Sequence, residues 1–186
     1  MLRNGFAAMV SLYIYAGVIL LTAIERLFEV RVSLKNAKWS FDRGGKEYGQ
    51  GHYPFMVVLH TGFLFACVGE AWLLEREFHP LLGYPMLGVA VFCQFLRWWC
   101  ITTLGPRWNT RVIIVPGLPR ITNGPYRFFN HPNYIAVIIE GVALPLIHSA
   151  YFTAIGFSVL NAGLLWTRIK CEERALTEML EKNNET

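Results

Sequence analysis

Charge is what this chain has least of: Asp, Glu, Lys and Arg make up 16% of its 186 residues, against 54% apolar. That is too little charged side chain to cover a water-soluble globule of this length, so an integral membrane protein is expected. No GxGxxG or Walker pattern occurs, and a soluble-type nucleotide fold is therefore unsupported. The cysteines, Cys67, Cys93, Cys100 and Cys171, form no CxxC pair, and His52, His60, His79 and His148 are scattered; neither a disulfide framework nor a metal is expected. There is no Lys/Arg run suited to nucleic acid. The net charge of +4 reads instead as attraction to anionic headgroups of membrane lipids. No small-residue cleavage site follows the first apolar block, which is accordingly read as a retained span.

What is present is a series of apolar blocks at Phe6 to Ile24, Pro54 to Leu74, Leu81 to Leu104, Pro132 to Ile147 and Tyr151 to Trp166. A span needs roughly 20 residues for about 30 Å of hydrocarbon, so the fourth block must tilt, end early or pair tightly with the fifth. Six Lys or Arg fall in residues 25 to 53, five in 97 to 131 and four after Trp166, leaving only Arg3 and Arg76 elsewhere. This asymmetry predicts an all-α integral membrane fold of about five transmembrane helices, N-terminus outside and C-terminus cytoplasmic. With no internal repeat, residues 1 to 186 are read as one domain. Residues 31 to 53, polar and glycine-bearing, read as a cytoplasmic loop with a short surface helix near Trp39. Glu75 to Pro80 and residues 148 to 150 read as tight turns between antiparallel helices. The connection Gly105 to Asn130 carries four prolines and the β-branched run Val112 to Val115, which predicts a strand-like segment folded against the membrane face. The tail after Trp166 repeats Ile169, Ala175, Leu176, Met179 and Leu180 near helical spacing, which predicts a C-terminal amphipathic helix.

Polar groups stranded beside apolar spans are the candidates for chemistry. In Gly124 to Tyr134, GPYRFFNHPNY, Pro132 suits a first helical position and places Asn130 or His131 at the cap. Such a helix start either receives a ligand's carboxylate or phosphate on its unpaired N–H groups, or is merely capped by these side chains. Arg168 and Glu172, in RIKCEE, are four apart and share a face; the alternatives are a common pocket or a surface pair contributing about 0.3–0.5 kcal/mol. Glu140 and Glu70 lie inside spans, where an acid costs about 2.5–3.5 kcal/mol and so needs a partner or a wet cavity. Glu140 is the better functional candidate, because its helix carries the motif. Arg97 is expected to snorkel towards headgroups. Trp98, Trp99 and Trp108 read as interface anchors or as the lining of a lipid groove.

GPYRFFNHPNY followed by a two-span hairpin and RIKCEE resembles the isoprenylcysteine carboxyl methyltransferase family of integral-membrane enzymes, whose pattern reads roughly GPYRxxRHPxYxG with a later RxxxEE. The resemblance covers about residues 105 to 180, and LRWWCITTLGPRWNTRVIIVPG (Leu96 to Gly117) further resembles a bacterial branch that occurs with type III polyketide synthases and methylates alkylpyrones. It implies S-adenosylmethionine as cofactor, held at the cytoplasmic face of a bacterial plasma membrane by Tyr126, His131, Asn133, Tyr134, Glu172 and Glu173, with Leu118 and Ile121 from the long connection. It implies Arg168 and Glu140 as catalytic residues, Arg168 beside the acceptor's anionic oxygen, and a lipophilic small-molecule substrate arriving sideways from the bilayer. Asn130 replaces the usual Arg, Ala136 a common Gly, and Leu118-Pro119 stand where a prenylcysteine enzyme has a His-containing loop. These departures set the prenylcysteine substrate apart more than the cofactor; an enol or phenol oxygen and a carboxylate both remain open as the acceptor, with methyl esterification of a prenylcysteine-like carboxylate as an alternative. The rivals are an NADPH-dependent membrane reductase of the sterol-reductase type and a non-catalytic membrane scaffold that docks through its tail helix.

Overall fold

A computed structural model describes the backbone of residues 2–184 and the side chains of residues 6–177. The tail residues Glu178, Met179, Leu180 and Lys182, and Arg3 at the other end, thus lie outside the described side chains. The chain is mostly helical: α1 (Leu2–Phe41), α2 (Tyr53–Leu73), α3 (Pro80–Leu104), α4 (Pro132–Leu146) and α5 (Tyr151–Asn184), with two short strands, β1 (Lys46–Tyr48) and β2 (Val112–Ile114). Among the described residues, four helices are long and apolar enough to cross a membrane, over Phe6–Phe41, Gln50–Leu73, Pro80–Arg107 and Tyr151–Thr177. Their exposed faces carry large apolar side chains such as Leu21, Phe65, Phe95 and Leu160, as a lipid-facing surface requires.

The remaining helix, α4, has 15 residues, about 22 Å at 1.5 Å per residue, and falls short of the hydrocarbon thickness. It is enclosed by protein instead: Tyr134, Ala136, Val137, Glu140, Gly141, Ala143 and Leu144 are all buried. Gly141 permits the close approach of α5, since a Cβ there would overlap the Phe157 ring. The α4–α5 turn is tight, with Ser149 at φ 58°. Glu70, late in α2, caps the start of α5 by accepting from the Phe152 and Thr153 amides at 3.1 and 2.6 Å, and it pairs with Arg76 at 2.9 Å. That is the partner its place in the helix demands, and it is structural.

Two expectations are corrected. The polar segment from residue 31 is not a loop: α1 continues unbroken to Phe41. Glu29, Ser33, Asn36 and Ser40 recur at helical spacing and are all buried, forming a polar inner stripe. Asn36 Nδ2 donates to the carbonyls of Gly105 and Trp108 at 3.1 and 2.8 Å, and the Thr110 amide donates to Ser33 Oγ at 3.0 Å. The stripe therefore binds the backbone of the long third connection. The fold is also not purely helical. The β-branched run does form a strand, but it pairs antiparallel with β1 from the first connection, Lys46 opposite Ile114 and Tyr48 opposite Val112.

Candidate active site

The GPYR motif forms a 3-10 turn, Gly124–Arg127, against α3. Gly124 sits at φ 55°, and a Cβ there would stand 2.6 Å from Thr103 Oγ1; both the backbone conformation and the close approach require glycine. This turn places Tyr126 beside the Cys100 thiol, where burial pushes the phenol well above the ordinary tyrosine range and keeps it a neutral donor. Phe128 and Phe129 point out of the turn, exposed. Pro132 then opens α4, as the motif predicts, but neither neighbour caps it through a side chain. Asn130 Oδ1 accepts from Arg120 at 3.3 Å, and the His131 ring stacks on Tyr134 with centroids 5.3 Å apart. The side-chain capping alternative is thereby excluded.

Tyr134 is the hinge of the arrangement. Its hydroxyl donates to Glu172 Oε2 at 2.5 Å and accepts from Arg168 Nε at 2.8 Å. His131 lies 3.9 Å from Glu172 and 3.8 Å from Glu173. The loop–helix junction and the tail helix therefore converge, although they are 34 or more residues apart in sequence. The surface-pair alternative for Arg168 and Glu172 fails, because Arg168 is only 6% exposed and reaches the carboxylate through Tyr134.

These groups line a cavity of about 440 Å³ together with Leu118, Ile121 and Asn133. Glu173 lies at its rim, largely exposed. A second, mainly apolar cavity of about 210 Å³ lies between α1, α2, α4 and α5. Trp108, Asn109, Asn133, Tyr134 and Arg168 line both, so they form a shared wall. Trp108, 3% exposed, thus belongs to the lining, whereas Trp98 and Trp99 are exposed, and Trp98 Nε1 donates to Glu25. Asn133 Oδ1 and Asn109 Nδ2 are buried in this wall without a hydrogen-bond partner. Such atoms are costly unless a ligand satisfies them. Arg168 spends Nη1 on the Met56 thioether at 3.3 Å and forms no ion pair with a carboxylate among the described residues. A thioether is a weak acceptor, so the cation remains available to an anionic oxygen.

Glu140 is on neither the shared wall nor the larger cavity; it lines the second cavity from within a charged cluster. Arg97 binds it directly, Gln94 donates to it at 2.7 Å, and Arg26 lies at 3.6 Å. Arg26 also pairs with Glu29 at 2.9 Å. Arg97, 7% exposed, does not snorkel: its charge is consumed inside the bundle. Sequence reasoning missed Asn109, Met56 and His60 as lining residues. Only the position of Asn109 directly after Trp108, in the run that carries the branch resemblance, could have pointed to the first.

A mostly helical bundle with four membrane-length apolar helices and a cavity at the α4 start lined by a few converging polar groups defines an integral membrane protein with a ligand-sized site. The profile of the isoprenylcysteine carboxyl methyltransferase (ICMT) family matches residues 86–178, and the chain belongs to that family of membrane methyltransferases. It is 35% identical over 158 residues to the Bacillus subtilis (strain 168) protein YpbQ, covering 83% of this chain and 92% of that one. A Haemophilus influenzae protein is 25% identical over 159 residues, covering 85% and 92%. Both relatives are described as uncharacterized.

Proposed function

We propose that the chain is an S-adenosylmethionine-dependent O-methyltransferase whose acceptor is a lipophilic small molecule bearing an ionisable oxygen, of the alkylpyrone type. The observation that carries this reading is Arg168. It is a buried cation with no carboxylate partner among the described residues, standing in the wall between the larger cavity, which holds Glu172, and the smaller, more apolar one.

The larger cavity suits the cofactor. Its volume lies in the usual range for small-molecule sites. Glu172 offers a carboxylate to the amine or ribose hydroxyls, Asn133 Oδ1 and Asn109 Nδ2 offer unsatisfied polar atoms, and Tyr126 and the stacked His131–Tyr134 pair offer flat surfaces. When bound, adenosylmethionine supplies an electrophilic methyl on a sulfonium. The chain's own task is positioning, which accounts for large rate factors when reacting atoms are held in line. Arg168 orients the acceptor oxygen and favours its anionic form. Tyr134, polarised by Glu172, holds Arg168 in place. Apolar residues of the smaller cavity, among them Phe63, Leu64, Val137, Leu144 and Phe157, house the acceptor's hydrocarbon and exclude water. Glu140, held by Arg97, Gln94 and Arg26, contributes by fixing the charged wall of the smaller cavity. The preponderance of Lys and Arg at the ends carrying this site supports a cytoplasmic orientation, with the acceptor arriving from the bilayer.

The test is thermal stabilisation of the detergent-solubilised protein. Adenosylmethionine and adenosylhomocysteine should both raise its melting temperature, and Glu172→Ala should abolish the response. A shift with NADPH and none with adenosylmethionine would replace this reading by the reductase.

A further inference from the structure

One polar side chain of the apolar cavity has no task in the mechanism above. His60, on α2, is half-buried in its wall and meets Phe157 edge-on with ring centroids 5.3 Å apart. Its Nδ1 lies 2.8 Å from the Met56 carbonyl oxygen. A carbonyl only accepts, so Nδ1 carries the proton and Nε2 holds the lone pair. Met56 also puts its thioether against Arg168. The imidazole and the guanidinium therefore flank one turn of α2 and line the same cavity.

Charged and polar groups reach that cavity from every helix packed around it. Arg26 and Glu29 come from α1, Tyr53 from α2, Arg97 from α3, Glu140 and Tyr134 from α4 and Arg168 from α5. In the cluster joined to Arg26, the two guanidiniums of Arg26 and Arg97 face three carboxylates, Glu25, Glu29 and Glu140. With Arg168 the count is three cations to three carboxylates, so the site gains no net charge when the donor's positive charge is replaced by that of an imidazolium.

We propose that His60 is the proton acceptor for a neutral hydroxyl, so that the site takes weakly acidic enols or phenols rather than carboxylates that arrive ionised. This rests on the methyltransferase reading. In the step, the acceptor's O–H bond breaks and its proton passes to His60 Nε2. The oxygen's electron pair forms the new C–O bond, and the methyl–sulfur bond breaks with its pair remaining on the sulfur of the sulfonium donor. One positive charge moves from donor to imidazolium, and none is created or lost.

The experiment follows methylation of a series of phenols and hydroxypyrones graded in acidity, using full-length protein, His60→Asn and His60→Gln. Asn keeps an N–H donor for the Met56 carbonyl and removes the base; Gln serves if the Asn variant does not fold. Loss of a general base should slow acceptors that are neutral at the assay pH by roughly 10²–10⁴-fold and leave pre-ionised acceptors within a few-fold. Independently of turnover, the ionised-acceptor absorption band in the complex with adenosylhomocysteine should weaken in the variants. Equal slowing of all acceptors, or no slowing, overturns the assignment and leaves the methyltransferase reading intact. A wild-type protein that binds adenosylmethionine but methylates only carboxylates overturns the hydroxyl class. One that does not bind adenosylmethionine overturns the reading beneath it.

Discussion

Arg168→Met separates the stability of this protein from its activity. In the folded state the guanidinium is 6% exposed, donates to Tyr134 at 2.8 Å and to a thioether, and has no carboxylate in contact among the described residues. Burying a cation without a paired anion costs several kcal/mol. The substitution removes that cost. It forfeits the hydrogen bond to Tyr134, about 1 kcal/mol net, the weak one to the Met56 thioether, and a cation–π contact with the Tyr134 ring at 5.4 Å, about 0.5–1 kcal/mol. The net is a gain of about 1–2 kcal/mol, which at about 2–4 °C per kcal/mol for a chain of this size raises the melting temperature by about 2–8 °C. On the proposed mechanism the same change also removes a charge-assisted bond to the acceptor oxygen, about 1.5–3 kcal/mol or roughly 10–150-fold in kcat/KM. Thermal denaturation in detergent and methyl transfer from labelled adenosylmethionine measure the two sides. A variant that melts several degrees lower, or one that keeps full activity, refutes the claim that Arg168 is held destabilised for its ligand.

The charged cluster should behave in the opposite way: Arg97→Leu removes the direct partner of Glu140 and leaves three carboxylates on Arg26 alone, which should cost about 3–5 kcal/mol, or about 6–20 °C in melting temperature, whereas Arg97→Leu combined with Glu140→Leu should recover most of the loss. A double variant no more stable than the single one would show that the cluster is not a paired unit. His148, 1% exposed in the α4–α5 turn and stacked on Tyr15, has its pKa lowered by burial. Because the unfolded chain then binds the proton more readily, its contribution is present above about pH 6.5 and lost as pH falls towards the folded value. Melting temperatures between pH 7.5 and 5.5 should therefore decline, and His148→Asn should flatten the decline; an unchanged slope would assign the acid sensitivity elsewhere.

How far the sequence reached depended on whether a residue's partner was local. Pro132 marks the start of α4 by its own missing N–H, and Arg168 and Glu172 share a face by spacing alone, so these pieces of the candidate site were legible. The strand at Val112–Ile114 was legible from its β-branched run, but its partner Lys46–Tyr48 was not, because nothing in Lys-Glu-Tyr between glycines marks a strand until another edge binds it. The length of α1 was misread for a related reason. Lys35, Lys38 and Asn36 look like a loop, and the spacing of Glu29, Ser33, Asn36 and Ser40 acquires meaning only when the backbone of the third connection arrives to be bound.

The pairing of Arg97 with Glu140 lies furthest from sequence reasoning, since each residue is defensible alone as a snorkelling cation or a catalytic acid. Their helices, α3 and α4, bring them together across 43 positions, and desolvation then decides the matter: two opposite charges in a low-dielectric bundle attract far more strongly than either could interact with distant headgroups. Arg168 is buried to the same degree but receives only a tyrosine hydroxyl and a thioether. The same physics that consumes the charge of Arg97 within the protein leaves the charge of Arg168 for a ligand. The two buried arginines differ in role because one helix neighbour supplied a carboxylate and the other did not.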